Sequence, residues 1–246
     1  MIPKIIHYCW FGGAQMPELA RNCIESWRKF LPDYELRLWN EQTFDINSVP
    51  YVKEAYEARK FAFMTDYVRL WALNKYGGIY MDTDVEVLCS LDDLLALPAF
   101  TGYEASMSNA PVTGLMASEA GGIWVREQLA YYDNRHFLQP DGSLDMTTNT
   151  VTIARIMKEN GFVIDGKYRV YKDNMHVFPV DWFCPLTSTR VLKLTKNTRC
   201  IHHFAGSWRE RTRGQIIKDW IVANILGRTL TDKLVQIKRK IVGKKK

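Results

Sequence analysis

Long apolar runs are missing from this chain of 246 residues, and no window approaches the roughly 18 apolar residues that a membrane-spanning helix requires. The opening stretch, MIPKIIHYCWFGG, has an apolar run too short for a secretory leader, so a cytosolic setting is the expectation. Cysteine is sparse: five residues and no Cys-x-x-Cys pair, which excludes a zinc ribbon or disulfide framework and predicts reduced core thiols. Positive charge is scarce where a nucleic acid would need it. Residues 228–246 hold eight Lys/Arg against Asp232, a balance of +7 out of a net +6, which leaves −1 on residues 1–227. Nucleic-acid enzymes spread basic residues over the body, so no nucleic-acid partner is expected. Internal repeats and low-complexity linkers are absent as well. The expectation is one domain over residues 1–227 followed by a basic tail over 228–246.

What is present is an ordinary globular composition, 47% hydrophobic and 24% charged, with eight tryptophans, more than packing usually demands; some of them are expected to face ligands. IPKIIHYCW reads as a buried strand, PELARNCIESWRKFLP as an amphipathic helix, and YELRLWN as a second strand. ARKFAFMTDYVRLWALNKYGG has helical spacing and stops at Gly77 and Gly78, where a C-cap belongs, before the strand GIYM. Further strands are expected near residues 99–103 and 112–117, helices near 122–132 and 148–158, and short strands between 162 and 203. The fold class is therefore α/β.

The stretch NKYGGIYMDTDVEV delivers Asp82 and Asp84 at the end of a strand, the place where ligands collect in open α/β sheets. Two carboxylates there suit Mg²⁺ or Mn²⁺, ions that complete their shells with water and substrate phosphates. With 15 aspartates an Asp-x-Asp arises about once by chance, so the surrounding residues must decide its meaning. Asp66 and Arg69 stand three apart on one helical face, about one helix before the aspartates.

Taken in order, IPKIIHYCWFGG, TDYVRLWALNKYGGIYMDTD and CIHHFAGSW resemble glycosyltransferase family 32 and the catalytic domains of the large clostridial glucosylating toxins. The likeness spans residues 1–208 as spaced motifs and matches little of 104–190. It implies a GT-A, Rossmann-like fold with a mixed central sheet, and a retaining, metal-dependent transfer of a hexose from a nucleoside diphosphate sugar. By position it implies Trp10 against the nucleobase, Asp66 and Arg69 on the donor sugar, and Tyr80 close to the nucleotide. Asp82 is expected at the ribose or a metal-bound water, Asp84 on the metal, and His203 as the third ligand with His202 its packed neighbour, or the two histidines in the reverse order. Ser207 and Trp208 are expected to donate hydrogen bonds to the diphosphate. Asn149 is expected to face the sugar or to cap a helix, and Glu104 and Asp145 are acceptor-side candidates.

No agreed nucleophile accompanies the resemblance, so front-face transfer is the expectation, with the donor's phosphate oxygen taking the acceptor's proton. UDP-hexose is the expected donor and GDP-mannose the alternative. The acceptor expected is a saccharide, lipid-linked, in bacterial surface polysaccharide assembly. A metal-dependent nucleotidyltransferase and a non-catalytic membrane-surface module are the rival classes. In the tail, expected to form a helical appendage, Leu230, Leu234, Ile237 and Ile241 recur at steps of four, three and four, with Lys233, Lys238, Arg239 and Lys240 mostly off that stripe. Such a pattern predicts peripheral attachment to an anionic inner leaflet.

Overall fold

The computed structural model describes residues 1–105, 110–112, 114–187 and 191–206. It opens with β1 (Ile5–Cys9), α1 (Glu18–Phe30) and β2 (Glu35–Trp39), whose strands pair in parallel. α1 buries Ala20, Cys23, Ile24 and Trp27 on one face, carries Glu18 in its first turn and Arg28 and Lys29 in its last, and so matches its own dipole. Then come α2 (Pro50–Glu57), α3 (Phe61–Tyr76) and β3 (Gly78–Met81). α2 lies where the sequence pattern suggested no element, although Pro50 sits in its first turn, where a missing N–H costs nothing.

β3 is the pivot of the molecule. It pairs in parallel with β1 and antiparallel with β6 (Leu115–Ser118). Beyond β6 lie β5 (Ala99–Gly102), β8 (Met175–Phe178) and β7 (Arg169–Tyr171), which completes a seven-stranded mixed sheet of order β2-β1-β3-β6-β5-β8-β7. A separate two-stranded ladder joins β4 (Val85–Val87) to β9 (Cys200–His202). The remaining helices are α4 (Ile123–Ala130), α5 (Asn149–Glu159) and the short α6 (Val180–Phe183). Among the described residues no helix is long and apolar enough to cross a membrane.

The turn from α3 into β3 takes two residues because both are glycine. Gly77 and Gly78 have φ of 65° and 112°. A Cβ on Gly78 would lie 2.6 Å from the Ile5 carbonyl oxygen, and one on Gly77 would lie 2.7 Å from the Ala120 nitrogen. β3 is buried along its length and feeds alternate side chains to opposite faces of the sheet. Ile79 and Met81 join a core cluster with Ile24 and Trp27 of α1, whereas Tyr80 joins another with Phe63 and Met64 of α3. Trp27 and Trp124 are fully buried, so these two tryptophans are core residues and face no ligand. The boundary at residue 227 and the expected helical appendage lie outside the described residues.

Candidate functional site

At the carboxyl end of β3 the buried Arg69 guanidinium is the hub. Its Nη2 stands 3.1 Å from Asp66 Oδ1, one helical turn back, and 3.4 Å from Asp82 Oδ1. The guanidinium also lies over the Tyr80 ring, 4.6 Å from its centroid, while the Tyr80 hydroxyl donates to Asp82 Oδ1 at 3.0 Å. Asp66 and Arg69, three apart on one helical face, are therefore ion-paired, and Asp82 is drawn into the pair. Asp66 accepts a second bond at Oδ2 from the Asn149 backbone N–H, 3.0 Å away, tying the start of α5 to α3. Burial raises the Asp66 carboxyl to about 6, against the pull of Arg69 and that N–H. Arg69 is also buried, but Asp82, Tyr80 and Asp66 outweigh the burial and keep its proton tightly held.

Asp84 belongs to a second half of the site. Its Oδ2 accepts the Ala205 N–H at 2.7 Å, its carbonyl oxygen accepts the His203 N–H at 2.9 Å, and its Oδ1 lies 3.4 Å from His202 Nε2. Desolvation works against the charge on Asp84, yet the His202 ring and the Ala205 N–H overcome it and hold the carboxyl below its ordinary range. Burial likewise opposes charge on His202, but hydrogen bonds to Asp84 and Cys184 raise its proton affinity well above the ordinary imidazole value.

Ligand atoms of Asp82, Asp84 and His202 lie within 4.8 Å of one another. The set fits a divalent cation by chemistry, two hard carboxylates and one imidazole, with the ion competing for the ring's proton. It also fits by space. Gly114 accepts the Asp82 N–H at 2.7 Å, and a Cβ there would sit 2.9 Å from Asp82 Oδ2 and 3.1 Å from His202 Nε2. Only glycine leaves that gap open.

Of the two histidines, His202 is the one grouped with the aspartates. His203, the expected third ligand, points away from the aspartates and places Nε2 2.8 Å from Glu86 Oε2. β9 faces β4 with His202 opposite Val85, and adjacent side chains of a strand leave on opposite sides; the His202 ring therefore turns inward and that of His203 outward.

Trp10 follows β1, and extending the β1–β3 register sets it level with the Asp82–Asp84 turn. Its indole Nε1 donates to the Ala14 carbonyl at 2.6 Å and closes its own loop. Asn149 is not the cap of α5, a position held by Thr148, and its buried side-chain Nδ2 has no hydrogen-bond partner among the described residues. Of the two acceptor-side candidates, Asp145 lies 3.6 Å from Arg135, and Glu104 bonds through its N–H to the Ala110 carbonyl at 2.9 Å. Ser207 and Trp208 lie outside the described residues. Sequence reasoning missed Gly114 and Cys184. No local pattern marks either one, because their roles exist only through contact with Asp82 and His202.

Residues 17–101 match the family described as a glycosyltransferase sugar-binding region containing a DXD motif. Inositol phosphoceramide mannosyltransferase 3 of Schizosaccharomyces pombe is 37% identical over 103 residues, 40% of this chain and 29% of that protein. Mannosyl phosphorylinositol ceramide synthase SUR1 of Saccharomyces cerevisiae is 28% identical over 164 residues, 65% of this chain and 42% of that protein. The chain thus spans less than half the length of either relative. The uncharacterized glycosyltransferase L373 of Acanthamoeba polyphaga mimivirus is 28% identical over 206 residues, 77% of this chain and 79% of that protein. A solved glycosyltransferase involved in glycosylating the major capsid of PBCV-1 superimposes with a TM-score of 0.50 at 11% identity, over 90% of this chain and all of the other. The fold is the mixed α/β GT-A arrangement, and residues 17–101, which carry Asp66, Arg69, Tyr80, Asp82 and Asp84, are similar to the glycosyltransferase sugar-binding regions that contain a DXD motif.

Proposed function

We propose that the protein transfers a hexosyl residue from a nucleoside diphosphate sugar to a hydroxyl acceptor, with Mn²⁺ or Mg²⁺ held by Asp82, Asp84 and His202. The observation that carries this reading is the convergence of those three side chains within 4.8 Å, joined through Asp82 to the Arg69–Asp66 pair. When bound, the ion supplies positive charge to the departing diphosphate. Asp66 and Arg69 hold donor hydroxyls, Trp10 offers a stacking face to the base, and Ser207 and Trp208 contribute donors to the phosphates.

Retention through front-face transfer suits the carboxylates. Asp66 has one oxygen on Arg69 and the other on the Asn149 N–H, an arrangement that favours holding over attack. The acceptor proton then passes to the leaving phosphate oxygen, and the protein supplies position and field. Of the two donors expected, the mannosyl donor gains support because several curated relatives carry mannosyl transfer in their names. Those names also favour a lipid acceptor with a polyol head over a surface polysaccharide. Attachment of residues 228–246 to an anionic leaflet, through their apolar stripe and basic flank, would bring the enzyme to such an acceptor.

A thermal-shift panel of UDP-glucose, UDP-galactose and GDP-mannose with Mn²⁺ tests the donor, since a ligand that binds only the folded state raises its melting temperature. The expected result is stabilisation by one donor, with slow release of free sugar and nucleoside diphosphate. Release of pyrophosphate would point to nucleotidyl transfer instead. The absence of any nucleotide-sugar stabilisation would remove the proposal.

A further inference from the structure

Outside the carboxylate cluster, a cavity of about 440 Å³ opens between the end of α4 and the segment leading into α5. It is lined by Tyr131, Arg135, Leu144, Asp145, Met146 and Thr147, among others. Its wall is a small hairpin: Leu138 bridges Leu144, and the Asp145 N–H bonds to the Phe137 carbonyl at 2.8 Å. Glu54 of α2 pins that hairpin by accepting the Leu138 N–H at 2.9 Å and pairing with His136 at 2.6 Å.

The polar groups in this cavity are held in place yet incompletely used. The Arg135 guanidinium lies on the Tyr131 ring at 4.0 Å and stands 3.6 Å from Asp145 Oδ2, and among the described residues its side chain makes no hydrogen bond. Asp145 Oδ1 accepts only the Thr147 N–H, at 3.1 Å, while the Thr147 hydroxyl has no hydrogen-bond partner among the described residues. A guanidinium and a carboxylate separated by slightly more than a hydrogen bond form a fork for a vicinal diol, one hydroxyl accepting from Arg135 and the other donating to Asp145. Leu144 and the half-exposed Met146 add an apolar wall for the C–H face of a ring. Arg135 and Asp145 cancel in charge, so a neutral polyol fits better than a free anion.

The cavity's wall leads along the chain to the Asp66 end of the site. From Asp145 the chain runs four residues to Asn149, whose N–H rests on Asp66 and whose buried side-chain Nδ2 has no hydrogen-bond partner among the described residues. Tyr132 packs on Tyr131 at 5.1 Å and on Tyr51 at 5.0 Å, ring centroid to ring centroid.

We propose that this cavity is the acceptor subsite and binds a neutral, polyhydroxylated six-membered ring, with Arg135 and Asp145 reading a vicinal diol and setting acceptor specificity. The assignment rests on the glycosyl-transfer reading above. In the transfer, the acceptor oxygen forms a bond to the donor's anomeric carbon, the bond from that carbon to the diphosphate oxygen breaks, and the hydroxyl proton leaves on the diphosphate.

The test uses the full chain and saturation-transfer NMR with myo-inositol and methyl α-mannopyranoside as probes, and inorganic phosphate as a competitor. Wild type is expected to saturate the ring protons of at least one polyol. Asp145→Asn and Arg135→Gln are expected to lower that signal at least fivefold with unchanged melting curves. Met146→Glu, at an exposed position, keeps the test open if either of those fails to fold, and a reduced signal is expected there too. Polyol signals that persist in every folded variant, no polyol signal from wild type, or loss of that signal on adding inorganic phosphate would overturn the assignment. Manganese-dependent release of nucleoside diphosphate by wild type is followed separately. If no donor is cleaved while the polyol binds as described, the transfer reading falls and the polyol site stands. Cleavage of donor together with variant-insensitive polyol binding sinks the subsite alone.

Discussion

Asp66, Arg69, Tyr80 and Asp82 come from one helix–turn–strand unit, whereas Asp84 meets Ala205 from 121 positions away. The first half is wired by buried side chains around one guanidinium. The second is held by a three-residue ladder, β4 on β9, and by backbone N–H groups of the following loop. The Asp66–Arg69–Tyr80–Asp82 network thus needs only α3 packed on β3, while His202 joins the aspartates only when a distant segment returns. Loop closure over such a span costs entropy that local contacts do not.

The comparison breaks most visibly at Arg69. Arg69→Ala leaves the buried Asp66 and the half-buried Asp82 without their cation and should cost about 4 kcal/mol of stability in urea unfolding. A loss below about 1 kcal/mol would show that the hub is dispensable. His7 of β1 tests the same local half through pH. The ring accepts the Trp39 indole N–H at Nδ1, 3.1 Å away, and donates from Nε2 to the Gly77 carbonyl at 2.7 Å, which is the neutral tautomer. Desolvation is the main cause of its fall from 6.5 to about 4. The unfolded chain therefore binds the proton first. Stability is complete above pH 6.5 and declines toward pH 4, by about 3 kcal/mol in all. His7→Gln should flatten that slope, and equal slopes in both proteins would place the effect elsewhere.

The long-range half is tested by metal binding. His202→Ala and Asp84→Ala should each weaken Mn²⁺, followed by electron paramagnetic resonance, by more than about tenfold. His203→Ala should not, since its ring sits on Glu86. The reverse pattern would restore the original assignment. Gly114→Ala is the mildest change, placing a methyl 2.9 Å from Asp82 Oδ2 and so weakening Mn²⁺ several-fold while the chain still folds. Unchanged Mn²⁺ affinity in that variant would mean that the gap beside Asp82 serves no ligand.

Most of the local half was legible in the sequence. Helical spacing over residues 61–76, the Gly77–Gly78 stop and the apolar run into Asp82 each report a short-range constraint, and α3 and β3 lie where those signals put them. α2 escaped notice because its eight residues are too few for periodicity to stand out, although three of them are buried. His202 and His203 are chemically identical neighbours, and a strand's alternation has no sign until its partner is known.

The element types around β3, the carboxylates at its end and the shared helical face of Asp66 and Arg69 were legible in the chain, because all of these follow from backbone geometry within a few turns. Tertiary structure alone decided which histidine turns inward, that Gly114 must leave space beside Asp82, and that Asn149 docks on Asp66. Those outcomes depend on the register of β4 against β9 and on packing between distant segments, where steric fit and burial act on atoms that no local pattern brings together.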